Sequence, residues 1–248
     1  MSDTFPRQYA RTQRLTLGEP RTFTVSPDQA RVVFTRSLSG SDSVNTLWVL
    51  EITTGEEREI LNPRSLGSDL GDVTPEEMRR RERLREGASG ITSYACNEDV
   101  TTAVTIIGGQ IVVVDILTGH VSVPGIAGGA FDVRLSPDGT TISYIRDSSL
   151  YVASLDGTER IVATDAHRGV TWGMAEFIAA EEMGRYRGYW WSPDSRHIAA
   201  CRVDNSSVAT WYIADPAHPE VPAVEHRYPA AGTTNATVSL HVFDTQSD

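Results

Sequence analysis

A short phrase recurs along this 248-residue chain and limits what the chain can fold into. It reads Ser-Pro-Asp, a few polar residues, then an alternating strand. The copies are Ser26-Pro27-Asp28 before Val32 to Thr35, Ser136-Pro137-Asp138-Gly139 before Ile142 to Arg146, and Ser192-Pro193-Asp194 before His197 to Arg202. A degenerate copy, Ala95-Cys96-Asn97-Glu98, precedes Thr102 to Ile107. Proline fixes φ, and Asp or Gly tolerates the tight reversal. A second strand follows each time: Thr46 to Ile52, Gln110 to Leu117, Leu150 to Leu155 and Ala209 to Ala214. Several end in a Thr-Gly turn, as in Thr53-Thr54-Gly55 and Leu117-Thr118-Gly119. Short strands with regular turns imply an all-β chain, an incomplete β-propeller of about four to five four-stranded blades.

The spacing of the copies is uneven. From Ala95 to Ser136 is about 41 residues, one blade, whereas the steps before and after it are about 69 and about 56. The surplus falls in two helical segments, and insertions into a repeat array decorate one face, often the binding face. Near the end, Thr237 to Phe243 reads as a strand and Asp244-Thr245 as the turn to another. An unpaired apolar edge invites aggregation, so we expect a piece of a longer protein; the alternative is a smaller propeller closed by its own termini.

Composition narrows the partners. The formal net charge is -11, which disfavours nucleic acid and anionic membrane. Met1 to Arg14 is polar, without the apolar stretch of a signal peptide, and no run approaches the roughly 20 apolar residues that span a bilayer. The two cysteines, Cys96 and Cys201, lie far apart. Such usage fits a reducing compartment, so a cytoplasmic protein with free thiols is expected.

The first insert begins Thr74-Pro75-Glu76-Glu77, a helix start with Thr74 as cap and Glu77 closing a capping box. The helix is expected to run to Glu86 and stop at Gly87, carrying Arg79, Arg80, Arg81, Arg83 and Arg85, with Arg81 and Arg85 on one face. It lacks a large apolar stripe, so weak packing is expected. It reads either as a solvated helix with cations in its last turns or as a device that aims a guanidinium at an acceptor.

The second insert, Trp172 to Gly184, reads as a helix with Met174, Phe177 and Ile178 as its apolar stripe. Glu181 and Glu182 fall in its last turn, where each opposes the helix dipole by roughly 0.3–1 kcal/mol. Either Arg185 and Arg187 neutralise the pair, or a cation binds it. An α-ammonium, with three N–H donors, suits two converging carboxylates.

These residues resemble a known family. The run Ala175-Glu176-Phe177 through Glu181-Glu182 and Gly188-Tyr189-Trp190-Trp191-Ser192-Pro193 is similar to the double-glutamate segment of dipeptidyl peptidase IV and its cytosolic relatives, dipeptidyl peptidases 8 and 9. Glu82-Arg83-Leu84-Arg85 followed by Gly90-Ile91-Thr92-Ser93-Tyr94 is similar to the arginine segment of those cytosolic relatives.

The resemblance implies that residues 1–248 are the N-terminal part of a propeller that caps a C-terminal α/β-hydrolase domain absent from this chain. It implies a serine dipeptidyl peptidase releasing N-terminal Xaa-Pro or Xaa-Ala dipeptides from peptides with a free N-terminus; members of the family commonly pair as homodimers, which makes a homodimer a candidate partner state. Glu181 and Glu182 then hold the substrate ammonium, and Arg85, or Arg83 in its place, holds the carbonyl of the second residue. No catalytic residue, metal or cofactor is assigned within the chain. No Gly-x-Ser-x-Gly elbow occurs in it, and its six histidines are scattered without ligand spacing. Trp172, Trp190 and Trp191 are expected to serve core and blade packing, not ligand stacking. A free-standing propeller-like interaction module without catalysis is the alternative function.

Overall fold

The computed structural model describes residues 4–67 and 73–246. The chain divides into two compact units. One runs to Arg146 and includes Tyr151–Arg160 and Pro193–Ser195; the other holds the remaining described residues.

The first unit opens with α1 (Phe5–Arg11), which follows Thr4 and carries Pro6 in its first turn. A first antiparallel sheet follows in chain order: β1 (Arg21–Val25), β2 (Arg31–Ser37), β3 (Val44–Glu51) and β4 (Glu56–Leu61). After β4 the chain forms helix α2 (Pro75–Leu84) and returns as β5 (Ser89–Gly90), parallel to the start of β3. The second sheet is β6 (Tyr94–Cys96), β7 (Thr102–Ile107), β8 (Gln110–Asp115) and β9 (Val121–Ser122). The third is β10 (Phe131–Leu135), β11 (Thr141–Arg146), β12 (Ser149–Ser154) and β13 (Glu159–Ala163), most of whose residues belong to this unit. Four neighbouring strands in sequence order is the meander of a propeller blade. Apolar residues from successive sheets pack together: Val33, Leu47 and Val49 meet Val112, Val114 and Ile116, and Val104 and Ile111 meet Val133, Ile142 and Tyr144. Burying each such side chain contributes about 1.5–3 kcal/mol.

The recurring turn has one construction. Ser26 Oγ donates to Asp28 and accepts from the Arg31 N–H, while Asp28 accepts from the Ala30 N–H. Ser136 and Asp138 repeat this with Thr140 and Thr141. The residue three after the serine is left-handed, with φ of 59° at Gln29, 75° at Gly139 and 60° at Ser195. In the degenerate copy the serine's place falls to Asn97 rather than Ala95. Asn97 Oδ1 accepts from the N–H groups of Thr101 and Thr102, and Val100 takes the left-handed position at φ 53°. An amide oxygen substitutes for the hydroxyl, which hides the copy from a Ser-Pro-Asp reading.

The second unit is built on β16 (His197–Asp204). β14 (Val170–Trp172) precedes helix α3 (Phe177–Glu182), and β15 (Tyr189–Trp191) follows it. β17 (Thr210–Ile213) and β18 (Val224–Arg227) form a two-stranded hairpin among the described residues, and β19 (Thr237–Asp244) completes the unit. β19 pairs with the whole length of β16. Both β14 and β15 also pair with β16, against Arg202–Asp204 and Ile198–Ala200, so they share its other edge. Trp172 is buried, meeting Phe243 edge-on at 5.4 Å and His241 at 5.0 Å; it is a packing tryptophan, whereas Trp190 and Trp191 are half-buried.

Two helix boundaries differ from the sequence reading. α2 ends at Leu84, not Glu86, because Arg85 takes the left-handed C-cap at φ 52° in place of Gly87. Arg85 is therefore outside the helix and shares no helical face with Arg81. α3 begins at Phe177, not near Trp172: Trp172 is in a strand, and Met174 bridges Arg187 rather than joining an apolar stripe. α1 is a third helix, signalled by Thr4 two residues before Pro6.

Candidate functional site

The two inserts leave the sheets in different ways. In the second unit the insert interrupts a single edge strand. The Gly173 N–H donates to the Cys201 carbonyl, and the Cys201 N–H donates to the Gly188 carbonyl. One residue of β16 thus faces both ends of the excursion, which leaves at Gly173 and returns at Gly188. The glycines are required here: Gly173 has φ 73°, and a Cβ on Gly188 would lie 2.4 Å from the Met174 carbonyl group.

Helix α3 hangs from this neck. The Glu176 carboxylate caps it, accepting from the Ala179 N–H at 2.9 Å, and Arg185 lies 3.8 Å from Glu176. Ala179 and Ala180 are buried, while Glu181 and Glu182 are both exposed in the last turn, as expected. Of the two arginines offered as neutralisers, Arg185 also donates to the Arg187 carbonyl, and Arg187 donates to the Tyr189 carbonyl. The sequence reading missed Glu176 as a cap because it placed this residue inside the helix.

In the first unit, Thr74 caps α2 by accepting from the Glu77 N–H. The Glu77 carboxylate does not spend itself on a capping box. It receives two hydrogen bonds from Arg80, both at 2.6 Å, one from Arg81 at 2.8 Å and one from Thr92 at 3.0 Å. Burial alone would raise the Glu77 carboxyl, but hydrogen bonds and charge from Arg80 and Arg81 outweigh it and hold it below the ordinary value. This cluster ties a helix with no buried residues to the stretch around Thr92. It also occupies Arg80 and Arg81; Arg83 is half-buried and Arg85 exposed.

Arg85 lines a cleft of about 510 Å³ with Arg14, Arg21, Thr16 and Glu86. Its edge is fixed by Gln13, which donates to the Gly87 carbonyl at 2.8 Å. Gln13, Arg14 and Leu15 are consecutively left-handed, at φ 48°, 67° and 63°, and this turn after α1 brings Arg14 to the cleft. Nothing in the sequence pattern marks that turn. Among the described residues no group of three or more His, Cys, Asp or Glu is placed to hold a metal, and no helix is long and apolar enough to cross a membrane.

Meander sheets with insert-bearing edges define a propeller-type all-β domain. Residues 106–248 match the family described as the dipeptidyl peptidase IV (DPP IV) N-terminal region, and the chain belongs to that family. It is 24% identical to dipeptidyl peptidase 8 of Homo sapiens over 260 aligned residues, covering 87% of this chain and 28% of that protein. "Probable dipeptidyl-aminopeptidase B" of Pyrenophora teres f. teres is 30% identical over 128 residues, 45% of this chain and 14% of the relative. The crystal structure of Porphyromonas gingivalis dipeptidyl peptidase 4 matches with a TM-score of 0.65 at 21% identity, covering 91% of this chain and 31% of that one. The chain thus spans less than a third of each of these proteins.

Proposed function

We propose that this chain is the substrate-holding N-terminal portion of a serine dipeptidyl peptidase that releases Xaa-Pro or Xaa-Ala dipeptides. Glu181 and Glu182 accept the α-ammonium of the peptide. Arg85 donates to a peptide carbonyl, with Arg83 as the alternative donor. The covalent step belongs to a serine of a hydrolase domain outside these 248 residues. The observation that carries this reading is the exposure of two adjacent carboxylates, Glu181 and Glu182, in the last turn of α3. Of the two arginine-helix readings offered by the sequence, the exposed Arg85 in a cleft supports the guanidinium donor. The names of the relatives support peptides as the ligand class.

The test is calorimetric titration of the chain with a short Ala-Pro peptide amide, free or acetylated at its N-terminus. The free peptide is expected to bind at least about tenfold more tightly, since charge-assisted hydrogen bonds contribute about 1.5–3 kcal/mol each. Glu181→Ala and Glu182→Ala should each remove most of that preference, and the preference should fade above about pH 8 as the α-amine deprotonates. Equal affinity for both peptides sinks the ammonium role. The chain alone should release no dipeptide from an Ala-Pro chromogenic substrate.

A further inference from the structure

Helix α3 is too short to hold its own position. It has six residues, and isolated helices of that length are unstable in water. Its last turn carries two like charges. What fixes the direction in which Glu181 and Glu182 point must therefore lie outside the helix.

Besides the Glu176 cap and the neck at Cys201, three aromatic rings supply part of that support. Phe177, the first residue of α3, meets Tyr228 edge-on at 5.2 Å and 84°. Tyr228 meets Trp211 of β17 edge-on at 5.5 Å and 76°. Tyr228 lies just past β18, and its N–H donates to the Ala209 carbonyl just before β17, so it closes the base of the hairpin. Arg227 fastens the same base by donating to the Val208 carbonyl at 2.8 Å. Beside this contact the packing is incomplete. A cavity of about 170 Å³ is lined by Phe177 itself together with Glu176, Ile178, Val208, Pro229 and Asn235 among others. The helix is also held by its buried Ala179 and Ala180 and by the Arg185 N–H donating to the Ala179 carbonyl; towards the hairpin it makes a ring contact next to open space, an arrangement that lets that side shift if the contact is lost.

We infer that Phe177 and Tyr228 are positioning residues, whose edge-to-face contact sets the placement of Glu181 and Glu182, and that the β17–β18 hairpin carries this contact through Trp211. The inference rests on the reading of the Glu pair as the ammonium ligand. Edge-to-face geometry is directional, so an aliphatic side chain of similar bulk fills the space without fixing the angle.

The experiment is the same titration with free and acetylated Ala-Pro peptide amides, now on Phe177→Leu, Tyr228→Leu, Tyr228→Phe and Trp211→Ala chains, with a thermal melt of each. The ratio of the two affinities is the readout, because general loss of folded protein weakens both peptides alike. Phe177→Leu and Tyr228→Leu should shrink the ratio from about tenfold to about twofold, while Tyr228→Phe, which keeps the ring, retains it. Trp211→Ala, at a half-exposed ring, should give an intermediate ratio and covers the case in which a Leu variant fails to fold. If the wild-type chain shows no preference for the free amine, the Glu-pair reading fails and the inference with it. If the wild type shows the preference and the folded variants keep it in full, or lose it equally in Tyr228→Phe, the positioning role alone is overturned.

Discussion

Gly188 passes so close to Met174 that a side chain on the glycine would sit 2.4 Å from the Met174 carbonyl carbon and oxygen. The obstructing atoms are backbone, which no rotamer change can clear. Gly188→Ala must therefore spread the neck of the second insert. Overpacking of this kind costs about 1–3 kcal/mol. Urea unfolding should show that loss, and the preference for a free peptide amine should disappear with it. A Gly188→Ala chain as stable as wild type would mean that the two ends of the insert are not held together in solution.

Arg85 should separate stability from binding. Its φ of 52° and ψ of 38° place it in the left-handed region, which costs a non-glycine residue roughly 1–2 kcal/mol. Arg85→Gly relieves that strain while removing the guanidinium. We expect urea unfolding to be unchanged or up to about 1 kcal/mol more favourable to the folded state, with weaker binding of the Ala-Pro peptide. Marked destabilisation would show that the guanidinium supports the fold rather than a ligand.

The Glu77 cluster predicts a pH dependence. The carboxyl of Glu77 lies below its ordinary value of 4.5 in the folded chain. Its contribution to stability is therefore complete above that value and is lost as pH falls through the lower, folded-state value. Unfolding free energy measured from about pH 6 to pH 3 should fall less steeply for Glu77→Gln than for wild type. At neutral pH the variant should already be less stable by about 1–3 kcal/mol, because Arg80 loses its charged partner. Parallel pH curves would exclude the cluster as an acid-labile tie.

Both thiols should be silent in the folded protein. Burial pushes the Cys96 thiol up to about 12, and Cys201 is 7% exposed within β16. A chromogenic disulfide at pH 8 should react with neither in the native chain and with both in denaturant. Rapid reaction of one thiol without denaturant would contradict the packing around it.

What could be read from the sequence follows from what is local. Strand β7 (Thr102–Ile107) is found where alternation placed it, and β19 ends one residue later than read. Their periodicity and turns are set by neighbours in the chain. That Glu181 and Glu182 end a helix could be read because Gly184 follows closely as a stop signal. Arg14 could not be linked to Arg85, because the left-handed run at Gln13, Arg14 and Leu15 brings it to the same cleft. The neck at Cys201 was equally hidden: a strand broken in the middle and resumed on the same partner looks, in sequence, like two strands and a helix. Asn97 shows the third kind of miss, in which a different side chain performs the same hydrogen bonding as the motif serine.

That interrupted strand bears on how such a domain can change over time. Because the excursion exits and re-enters opposite one residue, the polypeptide between the two glycines can lengthen, shorten or exchange its charges while every ladder on β16 keeps its register. Selectivity for a new ligand can then arise by replacing one cassette, with the scaffold beneath it left as it stands.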